Sequence, residues 1–217
     1  MHVAVFASGG GTNLQSLLES CRPPEPAEVA LVLSNKPDAG ALERARSAGV
    51  ATHVLDDPAD GPAIIRVLED ARIDLVVLAG YLALMPRDVV QYFGERIVNI
   101  HPALLPAFGG KGMYGIRVHR AVLDAGATVS GVTIHLVDER YDEGPIVAQW
   151  PVPVHQEDTP ETLAARILVV EHELLTAVVL AAGHQGAVAP LHASQPAFAA
   201  AAAADVTKLI ASTSQRQ

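Results

Sequence analysis

Cysteine is almost absent from this chain. Cys21 is the only one among 217 residues, so no intrachain disulfide can form and no zinc knuckle is available. Basic residues are in deficit: 15 Lys and Arg stand against 24 Asp and Glu, for a formal charge of −9. That balance argues against a surface that tracks nucleic-acid phosphates. It still allows an anionic small molecule, because backbone N–H groups at a helix start hold anions without lysines. Long apolar runs are missing too. The longest, residues 75–85, contains Gly80 and stops at Pro86, too short to span a bilayer. No charged-then-apolar leader opens the chain, and a cytoplasmic location is the expectation. What is present is a half-apolar composition with 18% charged residues, which excludes disorder over most of the chain and suits one compact domain plus a short appendage.

The pattern along the chain alternates strands and helices. Residues 2–7 (HVAVFA) read as a strand covered on both faces, followed by Ser8-Gly9-Gly10-Gly11-Thr12-Asn13 and then Leu14, Leu17 and Leu18 at helical spacing. Strands are expected at 29–33, 51–55, 74–79 and 96–101, and helices at 41–48 and 64–71. This predicts a doubly wound α/β fold with a mainly parallel sheet. Beyond His101 come a glycine-rich loop at 106–115, a helix at 118–125 and two strands at 129–137 and 146–154. Pro151 and Pro153 in the second suit a sheet edge. A long helix over 159–180 carries a stripe of Leu163, Ile167, Val170, Leu174 and Val178. Residues 1–185 are expected to form one folded domain. Residues 186–217 are expected to be an alanine-rich tail, with a frayed helix at 199–210.

Several places can carry chemistry. The glycine cluster lacks the third glycine of a dinucleotide fingerprint, since position 14 is Leu, and the second strand ends in Ser34-Asn35 rather than an acid. Gly110-Lys111 does not complete a P-loop. Two readings remain: an anion seat built from the N–H groups of Gly11, Thr12 and Asn13, or a tight turn capped by Thr12 or Asn13. In Asn99-Ile100-His101-Pro102, Asn99 and His101 share one strand face, roughly 6–7 Å apart, at the carboxyl end where ligands of open α/β sheets bind. They form either an oxyanion and proton-transfer pair or a core polar pair. The acidic run 138–143 before Gly144-Pro145 either sends a carboxylate to His101 or is a solvated turn. Glu171 lies on the apolar stripe of the long helix, as a ligand-facing group or a surface edge. No G-x-S-x-G or H-E-x-x-H pattern exists, and no metal site is expected.

Together these segments resemble the folate-dependent formyltransferases. The resemblance is carried by Ala7-Ser8-Gly9-Gly10-Gly11-Thr12-Asn13-Leu14, Ser34-Asn35-Lys36, Val77-Leu78-Ala79-Gly80-Tyr81, Asn99-Ile100-His101-Pro102-Ala103-Leu104-Leu105-Pro106, Val132-Thr133-Ile134-His135 and Asp142-Glu143-Gly144-Pro145, in family order over residues 1–184. The N-I-H-P-x-L-L-P block with a later D-x-G-P is highly specific, and the first segment points to the branch that formylates glycinamide ribonucleotide in purine synthesis. The resemblance implies a sheet with an antiparallel edge and 10-formyltetrahydrofolate as formyl donor. It assigns Asn99, His101 and Asp142 as the catalytic trio, with Asp142 holding His101 protonated. Gly11, Thr12, Asn13 and Glu171 would meet the ribonucleotide. Leu82, Ala83, Leu84, Met85, Asn99, Asp138, Glu139, Arg140 and Tyr141 would line the folate pocket. Small-molecule substrates, no nucleic acid, no membrane, and a monomer or homodimer are the implied partners.

Three features depart from the family pattern: a long loop at 109–114, Arg117 where histidine is usual, and no arginine in 56–62. Among sister activities, the hydrolase of formyltetrahydrofolate usually carries an added N-terminal domain, and this fold is expected to start at residue 2. The methionyl-tRNA formyltransferases need a C-terminal domain and a basic surface. A binding module that had lost activity would have no need of Asn99, His101 and Asp142 together.

Overall fold

The computed structural model describes residues 1–191. Chain order is β1 (His2–Phe6), α1 (Thr12–Ser20), β2 (Glu28–Ser34), α2 (Gly40–Ser47), β3 (Ala51–Val54), α3 (Gly61–Asp70), β4 (Leu75–Leu78), α4 (Arg87–Phe93), β5 (Ile97–His101), α5 (Ile116–Asp124), β6 (Val129–Leu136), β7 (Ile146–Pro153) and α6 (Pro160–Gln185). One seven-stranded sheet runs in the order β3-β2-β1-β4-β5-β6-β7. The pairs from β3 to β5 are parallel, and β5–β6 and β6–β7 are antiparallel. The fold is the expected doubly wound α/β type with an antiparallel edge. Pro151 and Pro153 lie on β7, the edge strand, where a missing N–H breaks no ladder.

The alternation of strand side chains explains the two cores. Val3, Val5 and Ala7 enter one cluster, with Leu14 and Leu17 of α1 and the buried stripe of α6. Ala4 and Phe6 enter the other, with Ile64 and Leu68 of α3 and Val89, Val90 and Phe93 of α4. Helix α4 was not anticipated from sequence. It has only seven residues, and its three buried side chains stabilise it by covering the sheet rather than through a long periodic stripe. Helix α6 runs five residues past its expected end. It starts at a capping box between Thr159 and Thr162, with Pro160 in its first turn, and stops at Gly186, whose φ is 73°.

Helix α6 ends at Gln185, and the chain then turns back to the sheet. Leu191 is buried in the first core, and its N–H donates to the Val147 carbonyl at 2.9 Å. The helix expected at 199–210 lies outside the described residues. Among the described residues, no helix is long and apolar enough to cross a membrane.

Candidate active site

The strand order reverses its direction of growth beside β1, so the loops after β1 and β4 diverge and leave a crevice at the carboxyl ends of the strands. Hydrogen bonds tie its walls together. Ser8 N–H donates to the Gly80 carbonyl at 3.0 Å, the Ser8 hydroxyl donates to Asn35 at 2.7 Å, and Leu82 N–H donates to the Ser8 hydroxyl at 3.0 Å. The small polar side chain of Ser8 thus joins the ends of β1, β2 and β4.

At the end of β1, Gly11 caps α1 in a left-handed conformation, φ 73°, and no side chain caps this helix. The capping alternative for Thr12 or Asn13 is therefore not realised, and the first N–H groups of α1 are not claimed by a cap. A β-carbon on Gly11 would lie 2.7 Å from the Ala41 α-carbon, so both space and φ require glycine there. Arg44 donates to the Gly10 carbonyl at 2.7 Å and fixes the turn.

Asn99 and His101 occupy one face of β5, opposite His135 and Thr133 of β6. Asp142, in the hairpin after β6, reaches both: its carboxylate lies 3.3 Å from Asn99 Nδ2 and 3.5 Å from His101 Nδ1. His135 Nε2 lies 3.0 Å from Asn99 Nδ2 and 3.5 Å from Asp142. Gly110 N–H donates to the second carboxylate oxygen at 2.9 Å. The other ring nitrogen of His101 faces the Phe108 carbonyl at 2.9 Å. Thr133 accepts from Leu105 N–H at 3.0 Å and donates to Ala103 at 2.6 Å, which pins the Leu104-Leu105-Pro106 segment and sets the start of the loop that carries Phe108. Phe108 and Asp142 both have positive φ, 57° and 59°. The two groups that grip His101 thus sit on left-handed backbone, uncommon for Asp and unfavourable for a bulky Phe.

Burial raises the Asp142 carboxyl. The hydrogen bond with His135, the charge of His101 and the Gly110 N–H outweigh that and hold it below its ordinary value. His101 behaves differently from expectation. Burial is the largest influence and pushes its imidazole below the ordinary value, outweighing Asp142 and the Phe108 carbonyl, with His135 adding to the lowering. The carboxylate therefore moderates a neutral-leaning histidine rather than holding a charged one. Nearby His119 is also lowered, by burial and then by His101.

These residues face a cavity of about 640 Å³. Of the expected site residues, Asn13, Leu82, Ala83, Leu84, Met85, Asn99, His101, Asp138, Arg140, Tyr141, Asp142 and Glu171 line it. Gly11 and Thr12 do not line it. Glu139 does not either, and pairs instead with Arg87 at 2.8 Å. Asn13 Nδ2 donates to Glu171 at 3.3 Å, and burial pushes the Glu171 carboxyl up to about 7 despite that bond. Sequence reasoning missed His135, His119 and Tyr81 as lining residues. For His135 a signal existed in the polar alternation of β6, but its meeting with Asn99 depends on the β5–β6 register. Among the described residues no group of three or more His, Cys, Asp or Glu side chains is arranged to hold a metal ion.

The formyl transferase family model matches residues 1–179. The chain belongs to the formyl transferase family. Its relatives include a chloroplastic phosphoribosylglycinamide formyltransferase of Arabidopsis thaliana, 50% identical over 185 residues, covering 82% of this chain and 63% of that protein. The phosphoribosylglycinamide formyltransferase of Escherichia coli (strain K12) is 35% identical, covering 82% of this chain and 85% of that one. The crystal structure of phosphoribosylglycinamide formyltransferase from Anaplasma phagocytophilum superposes with a TM-score of 0.78 at 36% identity, covering 85% of this chain and 87% of that chain. The chain spans less than two thirds of the length of the plant relatives it matches.

Proposed function

We propose that this formyl transferase moves the formyl group of 10-formyltetrahydrofolate to the amine of glycinamide ribonucleotide, a step of purine synthesis. The observation that carries the reading is the convergence of Asn99, His101 and Asp142 at the end of β5, on a cavity that Asn13 also lines from a helix start without a side-chain cap. An apolar wall of Leu82, Ala83, Leu84 and Met85 on one side suits the flat ring of a folate. Asn13 and Glu171 on the other suit a ribonucleotide, with its phosphate at the start of α1. Asp138, Arg140 and Tyr141 complete the folate side, and Glu139 contributes only through its pair with Arg87.

The roles follow from residue type. The neutral amine attacks the formyl carbon, its bond to the folate nitrogen breaks, and one proton passes from the amine to that nitrogen. Asn99 donates to the developing oxyanion, exchanging one of its two present partners, His135 or Asp142, for it. Any proton that His101 takes up as that charge builds is the amine's own, relayed through water and Asp142, and it goes on to the folate nitrogen. Asp142 stays ionised, so it can accept the amine proton through water and pass it on. Arg117, on the cavity rim and stacked over Tyr114 at 4.9 Å, supplies a nearby cation.

The test is release of tetrahydrofolate by the purified chain given 10-formyltetrahydrofolate, with and without glycinamide ribonucleotide. Release that requires the ribonucleotide is expected. Release without it indicates a hydrolase. Absence of release in both from folded protein leaves a binding module.

A further inference from the structure

Cross-strand pairing lays His101 of β5, Thr133 of β6 and Gln149 of β7 in one row on the same face of the sheet. The next row, Ile100, Ile134 and Ala148, points from the other face into the first core. The chain leaving His101 folds back over the polar row as the loop 103–110, and Thr133 and Gln149 both hold that loop near its start. Thr133 accepts from the Leu105 N–H at 3.0 Å and donates to the Ala103 carbonyl at 2.6 Å. Gln149 Nε2 donates to the Leu105 carbonyl at 2.9 Å and to the Thr133 hydroxyl oxygen at 3.0 Å, which uses both hydrogens of its amide. Leu105 in turn backs the far end of the loop. A β-carbon on Gly109 would overlap the Leu105 side chain and lie 3.2 Å from the Asp142 β-carbon.

A glutamine that only decorated an edge strand would turn its amide to water. Gln149 is half-buried, with its amide on the loop instead. Beyond that anchor, Phe108 sits at φ 57°, which a bulky residue adopts only where its surroundings impose it. Its carbonyl then meets His101 Nε2 at 2.9 Å, and the Gly110 N–H meets Asp142 at 2.9 Å. A carbonyl only accepts, so the neutral His101 ring carries its proton on Nε2. Nδ1 is left as the basic nitrogen, 3.5 Å from the Asp142 carboxylate, on the side from which a proton arrives. The bond to Phe108 also favours the protonated ring, against burial.

We propose that Gln149 is a positioning residue of the transfer reaction: its grip on the Leu105 carbonyl sets the loop so that the Phe108 carbonyl selects the His101 tautomer with Nδ1 open to Asp142. The assignment rests on the formyl-transfer reading given above. Gln149→Met tests it, because the length of the side chain is kept and both donors are removed. Heteronuclear NMR of the histidine rings, without substrates, reads the tautomer and the titration of His101. The other titratable groups facing that ring, His135 of β6, Asp142 of the hairpin and His119 of α5, are the same in both proteins. The wild type is expected to hold the proton on Nε2. In the variant the two tautomers are expected to mix and the ring to titrate at lower pH, because the bond to Phe108 is weakened. Turnover is expected to fall about three- to tenfold, the effect of one lost hydrogen bond, with KM for both substrates changed less than about twofold. A fall in Tm with kcat and the His101 tautomer unchanged marks an ordinary edge-strand residue and overturns the assignment. A fall in kcat with His101 as in the wild type also overturns it, because the loop is then not the route. A wild-type chain that transfers no formyl group overturns the functional reading instead, and the ring titration, read without substrates, separates the two.

Discussion

At Asp142 the geometry allows a sharp division between binding and chemistry. Its carboxylate touches Asn99, His101, His135 and Gly110, whereas Asn13 at the start of α1 pairs with Glu171. Asp142→Asn keeps the shape and removes the charge. It is expected to lower kcat by about 10²–10⁴, the range of a general acid–base group, with ribonucleotide affinity changed less than about threefold. Steady-state kinetics and calorimetry check both numbers, and near-normal turnover contradicts the assigned role. Glu171 behaves oppositely. Its carboxyl is raised by burial from the ordinary 4.5 to about 7, so between those values the folded chain holds more protons than the unfolded one. Its contribution to stability therefore falls as pH rises through that window and is least above pH 7. Glu171→Gln is expected to gain on the order of 2 kcal/mol over the wild type at pH 8 and nearly nothing at pH 4.5. Urea denaturation at the two pH values measures the difference, and the same variant is expected to bind the ribonucleotide more weakly.

At the scale of elements, the site depends on two connections more than on any helix. The hairpin between β6 and β7 delivers Asp142, and Gly144 makes its closest approach. A β-carbon there would overlap the Leu136 carbonyl oxygen, which is backbone and cannot step aside. Gly144→Ala is expected to cost about 3 kcal/mol or more and to remove most activity by displacing Asp142, two residues before it, as read by urea denaturation and the release assay. The loop 103–110 delivers the Phe108 carbonyl and the Gly110 N–H, and it is held down by Thr133 and Gln149 of the antiparallel strands. The motif Asn99-Ile100-His101-Pro102 was legible because alternation on a strand puts Asn99 and His101 together without further information. The hairpin was not: from sequence, its acidic run reads as well as a solvated turn, and Glu139, Arg140 and Glu143 do form exposed ion pairs of that kind. Asp142, with its left-handed backbone, is the carboxylate of the run that reaches His101.

For the whole molecule, the described chain closes on itself through residues 187–191, which return from α6 to the edge strand. Leu191 is 6% exposed, and its N–H pairs with Val147. Leu191→Ala is expected to lower stability by about 2–3 kcal/mol without changing m, checked by urea denaturation.

The crevice itself draws on the start of α1, the ends of β4 and β5, the loop after β5, the β6–β7 hairpin and α6, stretches scattered over most of the sequence. What the sequence alone determined was everything governed by local periodicity: the strand and helix alternation, the mainly parallel sheet, the glycine turn and the polar pair on β5. Those follow because side chains repeat every two residues on a strand and about every 3.6 on a helix. Tertiary structure decided what periodicity does not encode. The β5–β6 register set His135 against Asn99, and the inward turn of the hairpin brought Asp142 to His101. Burial then outweighed that carboxylate and left His101 neutral-leaning, because the cost of removing a charge from water depends on every neighbour that excludes the water, and those neighbours come from the whole chain.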